Sequence, residues 1–200
     1  MARRSDHTRE EIRQAILDAS CHIIESEGLD KLTIRKIAKA INYTSGTLYL
    51  VFQDLDEVIV ETHIDTLNRL YDHLSERPLD GDPSDALLSL AQGYREFTTA
   101  NKLRWAALFE HKLPDEKTLP DRYDMAIFKL IGLGVTAIKG LYPEGHEADA
   151  IHDARVLWAS LYGIMALEAK NKLSRYEDTD AFVTTLVKTY VAGVAAKNMP

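Results

Sequence analysis

Thr44, Ser45, Gly46 and Thr47 form a run of three hydroxyl side chains and one glycine. Small hydroxyl residues at the start of a helix let another molecule approach closely, and the backbone N–H groups there point at phosphate. Gly46 has no side chain, so the helix can sit close to a partner's edge. Arg35, Lys36 and Lys39 precede the run, and Arg3, Arg4 and Arg9 stand near the N-terminus, so positive charge is available around it. Charge for phosphates together with small groups for base edges is the combination that double-stranded DNA requires. Leu50, a turn further on, offers an apolar contact to a thymine methyl in the major groove.

Other chemistries find less support. Seven histidines, His7, His22, His63, His73, His111, His146 and His152, include no i, i+4 pair with a third ligand close in sequence, so no metal site is expected. No Ser/His/Asp order, Gly-rich phosphate loop or nucleophile elbow is present, so neither an enzyme nor a cofactor is expected. Cys21, the sole cysteine, lies in a helical stretch beside Glu25, which would raise the thiol pKa and quiet its reactivity. One cysteine excludes an internal disulfide.

Helical periodicity runs through the chain, and strand signals are nearly absent. Thr8 with Glu11 has capping-box spacing, Ile12, Ile16, Ala19, Ile23 and Ile24 follow at helical spacing, and Gly28 closes the segment. A short helix from Thr33 to Ile41 and another from about Thr44 to Phe52 flank Asn42, a residue tolerant of positive φ. Two short helices joined by a tight turn have the dimensions of a helix-turn-helix. A long helix is expected from Asp54 to about Arg77, broken by Pro78, Gly81 and Pro83. Further helices are expected around Leu87–Thr98, Trp105–Phe109 and Met125–Ile138, then over about 147–174 and 179–196. The expectation is an all-α chain of about nine helices: a helix-turn-helix domain over 1–53 and a helical regulatory domain over 54–200.

The 200 residues carry a net charge of −7, unevenly spread. Residues 1–52 have a balance of +1 and the remainder −8, so the N-terminal part can present a basic face despite the acidic total. The longest uncharged run, Ala40 to Gln53, is shorter than a membrane span and holds Asn42, Thr44 and Ser45. No apolar stretch follows the charged N-terminus as in a secretory signal. No membrane partner and a cytoplasmic location are expected.

Leu32-Thr33-Ile34-Arg35-Lys36-Ile37-Ala38, then Thr47-Leu48-Tyr49, then Phe52, resembles the signature of the TetR family of transcriptional regulators, over about Thr8 to Val60. Trp158-Ala159-Ser160-Leu161-Tyr162-Gly163 is similar to the Trp-His-Gly segment of one TetR C-terminal subclass, with Tyr162 in place of histidine. The resemblance implies that Arg35 reaches a base edge or phosphate, that Ser45, Gly46 and Thr47 face the major groove, and that Thr44 and Tyr49 contact phosphate. Asn42 replaces the usual turn glycine. Val51 and Leu55 stand where the family has phosphate-contacting residues, which implies weaker DNA binding and a flatter salt dependence, by about 0.9 per lost contact.

The resemblance further implies a homodimer that represses from a palindromic operator and is released by a small-molecule effector. An apolar or aromatic effector suits the aromatic residues of the C-terminal part. The chosen contacts are Tyr94, Phe97, Trp105, Phe109 and Met125, with Phe128, Trp158, Tyr162 and Met165. Small residues on the last two helices allow close helix packing between protomers: Ala159, Gly163 and Ala166, then Ala192 and Gly193, flanked by Phe182 and Leu186. The alternative is a dimer of the same fold with weakened DNA binding, serving as a ligand-binding or protein-interaction module.

Overall fold

A computed structural model describes residues 7–173 and 178–197. Among these the chain is α-helical without strands: α1 (Arg9–Glu27), α2 (Ile34–Ala40), α3 (Ser45–Tyr49), α4 (Leu55–Ser75), α5 (Pro83–Ala100), α6 (Lys102–Glu110), α7 (Asp121–Ile138), α8 (Glu147–Ala169) and α9 (Thr179–Lys197).

Local chemistry accounts for many of the ends. The expected capping box forms: the Glu11 amide donates to Thr8 Oγ1 at 3.2 Å, and the Thr8 amide donates to Glu11 at 2.7 Å. Gly28 closes α1 at φ 91°. The Thr33 hydroxyl accepts the Lys36 amide and so caps α2. Asp82 accepts the amides of Ser84 and Asp85 ahead of α5.

Two asparagines end helices by one device. Asn42 at φ 57° lets the Tyr43 amide reach back to the Ala38 carbonyl at 2.8 Å. Asn171 at φ 52° lets the Lys172 amide reach the Leu167 carbonyl at 2.8 Å. The second corrects the expected extent of α8, which stops at Ala169 and not near Ser174; that residue lies outside the described ones. The third helix is also shorter than expected. Beyond Tyr49 the amides of Leu50 and Val51 turn to carbonyls three residues back, so the last turn tightens before Phe52.

The chain packs as two compact units that do not divide at residue 53. One holds residues 1–68 and 100–124; the other holds 69–99 and 125–200. In the first, Ile16, Ile23 and Ile24 of α1 pack with Ile37 of α2, Leu48 of α3, Val58 and Ile59 of α4 and Ala107 of α6. In the second, Leu70, Leu90, Tyr94, Ile131, Ile138, Leu157 and Val187 are buried. No helix among the described residues is long and apolar enough to cross a membrane.

Candidate nucleic-acid interface

The α2–turn–α3 segment has a buried side and an open side. Ile37, Ala38 and Leu48 are buried, and Phe52 closes the core behind α3. This fixes the face that α3 turns outward. Gly46 lies open there: a Cβ added to it would meet only Thr44 Oγ1, at 3.7 Å. Thr44 and Thr47 share a hydroxyl hydrogen bond of 3.1 Å across the first turn. Tyr49 and Leu50 project into solvent, 57% and 75% exposed.

The cations are unequal. Arg35 and Lys39 are exposed on α2, as is Arg9 at the start of α1. Lys36 forms an ion pair with Glu27, which offsets part of its charge. Ser45 and Thr47 are half-buried. Arg3 and Arg4 lie outside the described residues. Val51 and Leu55 are partly buried and pack on the core; their apolar side chains fill space at the base of the motif.

Behind this surface stands a set of ionic contacts that sequence reasoning missed. Arg104 of α6, 2% exposed, donates to Thr66 of α4 at 2.8 Å and to Glu25 of α1 at 2.8 Å, and pairs with Asp65 of α4. Glu61 of α4, also buried, accepts from Arg13 of α1 at 2.6 Å and from Arg122 Nε of α7 at 2.7 Å. Lys117 bridges Asp54 and Asp56, at 2.6 and 2.7 Å, and the ammonium holds both carboxyls below the usual range. His111 shares a 2.8 Å hydrogen bond with Asp56. His63 of α4 is buried with its ring edge-on to His111. Burial, reinforced by His111, pulls its pKa down to about 4. These partners are separated by tens of residues, 79 for Arg104 and Glu25, so no local spacing marks them. Cys21 donates to Asp65 at 3.9 Å beside this cluster. Among the described residues no three His, Cys, Asp or Glu side chains gather so as to hold a metal ion.

In the second unit a cavity of about 80 Å³ opens among α4, α5, α7, α8 and α9. Its walls are Leu74, Leu87, Leu90, Leu130, Leu157 and similar side chains, with Tyr94 and Trp158 the aromatic members. Burial pushes the Tyr94 phenol well above its usual range, so it stays neutral. Of the other aromatic and Met choices, Phe97 and Met165 are buried in the same unit, Phe97 beside His73. Tyr162 stacks on Trp158. Met125 and Phe128 are more than half exposed, with Arg155 over the Phe128 ring. Trp105 and Phe109 belong to the first unit and meet edge to face.

On α8, Val156, Ala159 and Leu167 are exposed at helical spacing, and Gly163 and Ala166 are half-buried. On α9, Ala192 and Gly193 are exposed, and Phe182 and Leu186 are half-buried.

Residues 16–62 match the family described as bacterial regulatory proteins, tetR family, and residues 87–190 match the tetracyclin repressor-like C-terminal domain. The chain is 26% identical over 188 residues to the uncharacterized HTH-type transcriptional regulator YobS of Bacillus subtilis, covering 93% of this chain and 94% of that one. It is 24% identical over 182 residues to the uncharacterized HTH-type transcriptional regulator Rv0681 of Mycobacterium tuberculosis, covering 91% and 81%. Two solved structures share the fold. One is a protein with unknown function from Rhodococcus sp. RHA1, with a TM-score of 0.75 and 21% identity over 97% of this chain and 100% of that one. The other is a tetR-family transcriptional regulator from Streptomyces coelicolor, with a TM-score of 0.67 and 18% identity over 94% and 83%. The two matched segments take in the helix-turn-helix and most of the helical body behind it, so the chain belongs to the tetR family of DNA-binding transcriptional regulators.

Proposed function

We propose that the protein is a cytoplasmic homodimer that represses transcription from a palindromic operator and is released by a small apolar or aromatic effector. Residues 1–53 then form the DNA-binding part and 54–200 the regulatory part. The observation that carries the reading is the outward face of α2 and α3: Arg35, Lys39, Thr44, Gly46 and Tyr49 stand exposed together, while Leu48 anchors α3 from behind.

The exposed apolar and small residues of α8 and α9 support a face shared by two protomers, and a twofold pair of heads calls for an inverted repeat. The leucine-walled cavity supports an apolar effector. An engineered apolar cavity of about 150 Å³ holds benzene; a cavity of about 80 Å³ must widen to take a ligand of that size. That widening is the event we couple to release of DNA, with a coupling free energy of about 1–3 kcal/mol.

Selection of bound duplexes from a random pool, at moderate salt and without effector, tests the reading. An inverted repeat is the expected product. Recovery of no motif, with binding that vanishes as salt rises, would favour the alternative: a ligand-binding or protein-interaction module. The apolar, partly buried side chains of Val51 and Leu55 and the Lys36–Glu27 pair are what speak for that alternative.

A further inference from the structure

The outward helix α3 is marked by what it lacks. From Tyr43 to Phe52 there is no Arg, Lys, Asn, Gln, Asp or Glu. Arg or Lys pairing with guanine, and Asn or Gln pairing with adenine, are therefore unavailable to α3. It carries hydroxyls at Thr44, Ser45 and Thr47, a phenol at Tyr49, and one projecting apolar group, Leu50.

Leu50 and Leu48 divide the work of the helix. Leu48 is fully buried, whereas Leu50 is 75% exposed, so its side chain is free to meet a partner that approaches this face. Gly46 lies one turn before Leu50 on the same helical face, and nothing but the Thr44 hydroxyl approaches its missing Cβ. The face is thus a projecting leucine beside an empty notch, bordered by hydroxyls. In the major groove the apolar group that a base edge presents is the C5-methyl of thymine.

We propose that Leu50 determines sequence specificity by packing on thymine methyl groups, so that the protein reads thymine positions by their methyls and not by bidentate hydrogen bonds from α3. The proposal rests on the DNA-binding reading of α3, and its occupant follows from continuity with that surface.

The test begins with the duplex recovered by selection from a random pool. Each thymine is replaced singly by deoxyuridine, which keeps the hydrogen-bonding edges and removes only the methyl. Wild-type protein is expected to lose about fourfold in affinity at one or two positions in each half-site, the value of one buried methyl. Leu50→Ala is expected to bind the thymine and deoxyuridine duplexes at those positions equally. Because Leu50 is exposed, the variant should keep the wild-type melting temperature, which separates loss of contact from loss of fold. Equal wild-type affinity for thymine and deoxyuridine at every position would overturn the proposal while leaving DNA binding intact. So would a Leu50→Ala variant that still discriminates fourfold. Failure to select any duplex would overturn this proposal together with the DNA-binding reading beneath it.

Discussion

In the first compact unit the buried positions include the guanidinium of Arg104 and the carboxylate of Glu61, each drawing opposite charges from two other segments. Buried in the second unit stand Leu70, Tyr94 and Ile138, and the ion pairs of Arg95 with Glu168 and Asp180 lie nearer the surface. The two arrangements have different mechanical meaning. Charged nodes are directional: Arg104 meets Thr66, Glu25 and Asp65 in one relative placement of α1, α4 and α6. Apolar contact between leucines is tolerant of small shifts and of added volume. A part that holds DNA-facing residues in fixed register gains from the first; under the proposed function, a part that admits an effector would gain from the second.

The contrast can be broken most severely in the apolar unit. Leu70→Ala removes a fully buried side chain and should cost about 3–4 kcal/mol in denaturant unfolding, independent of salt. The next effect is in the ionic unit and is driven by pH. His63 folds with its pKa near 4 against 6.5 in the unfolded chain, so the unfolded state takes up the proton first as pH falls. Stability should be complete above pH 6.5 and decline by up to about 3 kcal/mol toward pH 4. His63→Gln should flatten that stretch of the stability–pH curve, and an unchanged slope would show that other groups produce it.

Arg104→Met should cost about 2 kcal/mol, less than for a wholly buried pair because Glu25 and Asp65 are each about two-fifths exposed and can hydrate. Adding Glu25→Gln and Asp65→Asn should restore at least half of the loss; further destabilisation would mean that packing, and not charge, is what Arg104 supplies. The smallest expected effect is Phe128→Ala. The ring is 56% exposed, and its loss should change stability by less than about 0.5 kcal/mol. A larger cost would show that the packing of Arg155 over the ring carries weight.

Local signals in the sequence were legible where the physics is local. The Thr8–Glu11 capping box, the Gly28 stop and the turn at Asn42 all depend on residues within a few positions of one another, and the structure has each of them. Asn171 uses the same left-handed closure as Asn42 but lies inside an apolar-periodic run, so periodicity carried the expected helix past it. The outward face of the helix-turn-helix follows from burial of Leu48. The nodes at Arg104, Glu61 and Lys117 join residues far apart in number, and their charges read as ordinary surface charges until the fold brings them together. The aromatic residues chosen for an effector site show the same limit. Tyr94 and Trp158 line the cavity, while Trp105 and Phe109 pack in the other unit.

The interleaving of residues 100–124 with residues 1–68 bears on how this protein can be taken apart. A head excised as a linear fragment ending near residue 68 would leave behind Ala107, which completes its core, and Arg104, Lys117 and Arg122, which neutralise its acids. Transplanting the DNA specificity of this protein into a relative therefore calls for a two-piece graft, with the outward residues of α2 and α3 exchanged in place or the 100–124 segment carried along. A chimera joined at one crossover would inherit acids from one parent and their counter-charges from the other.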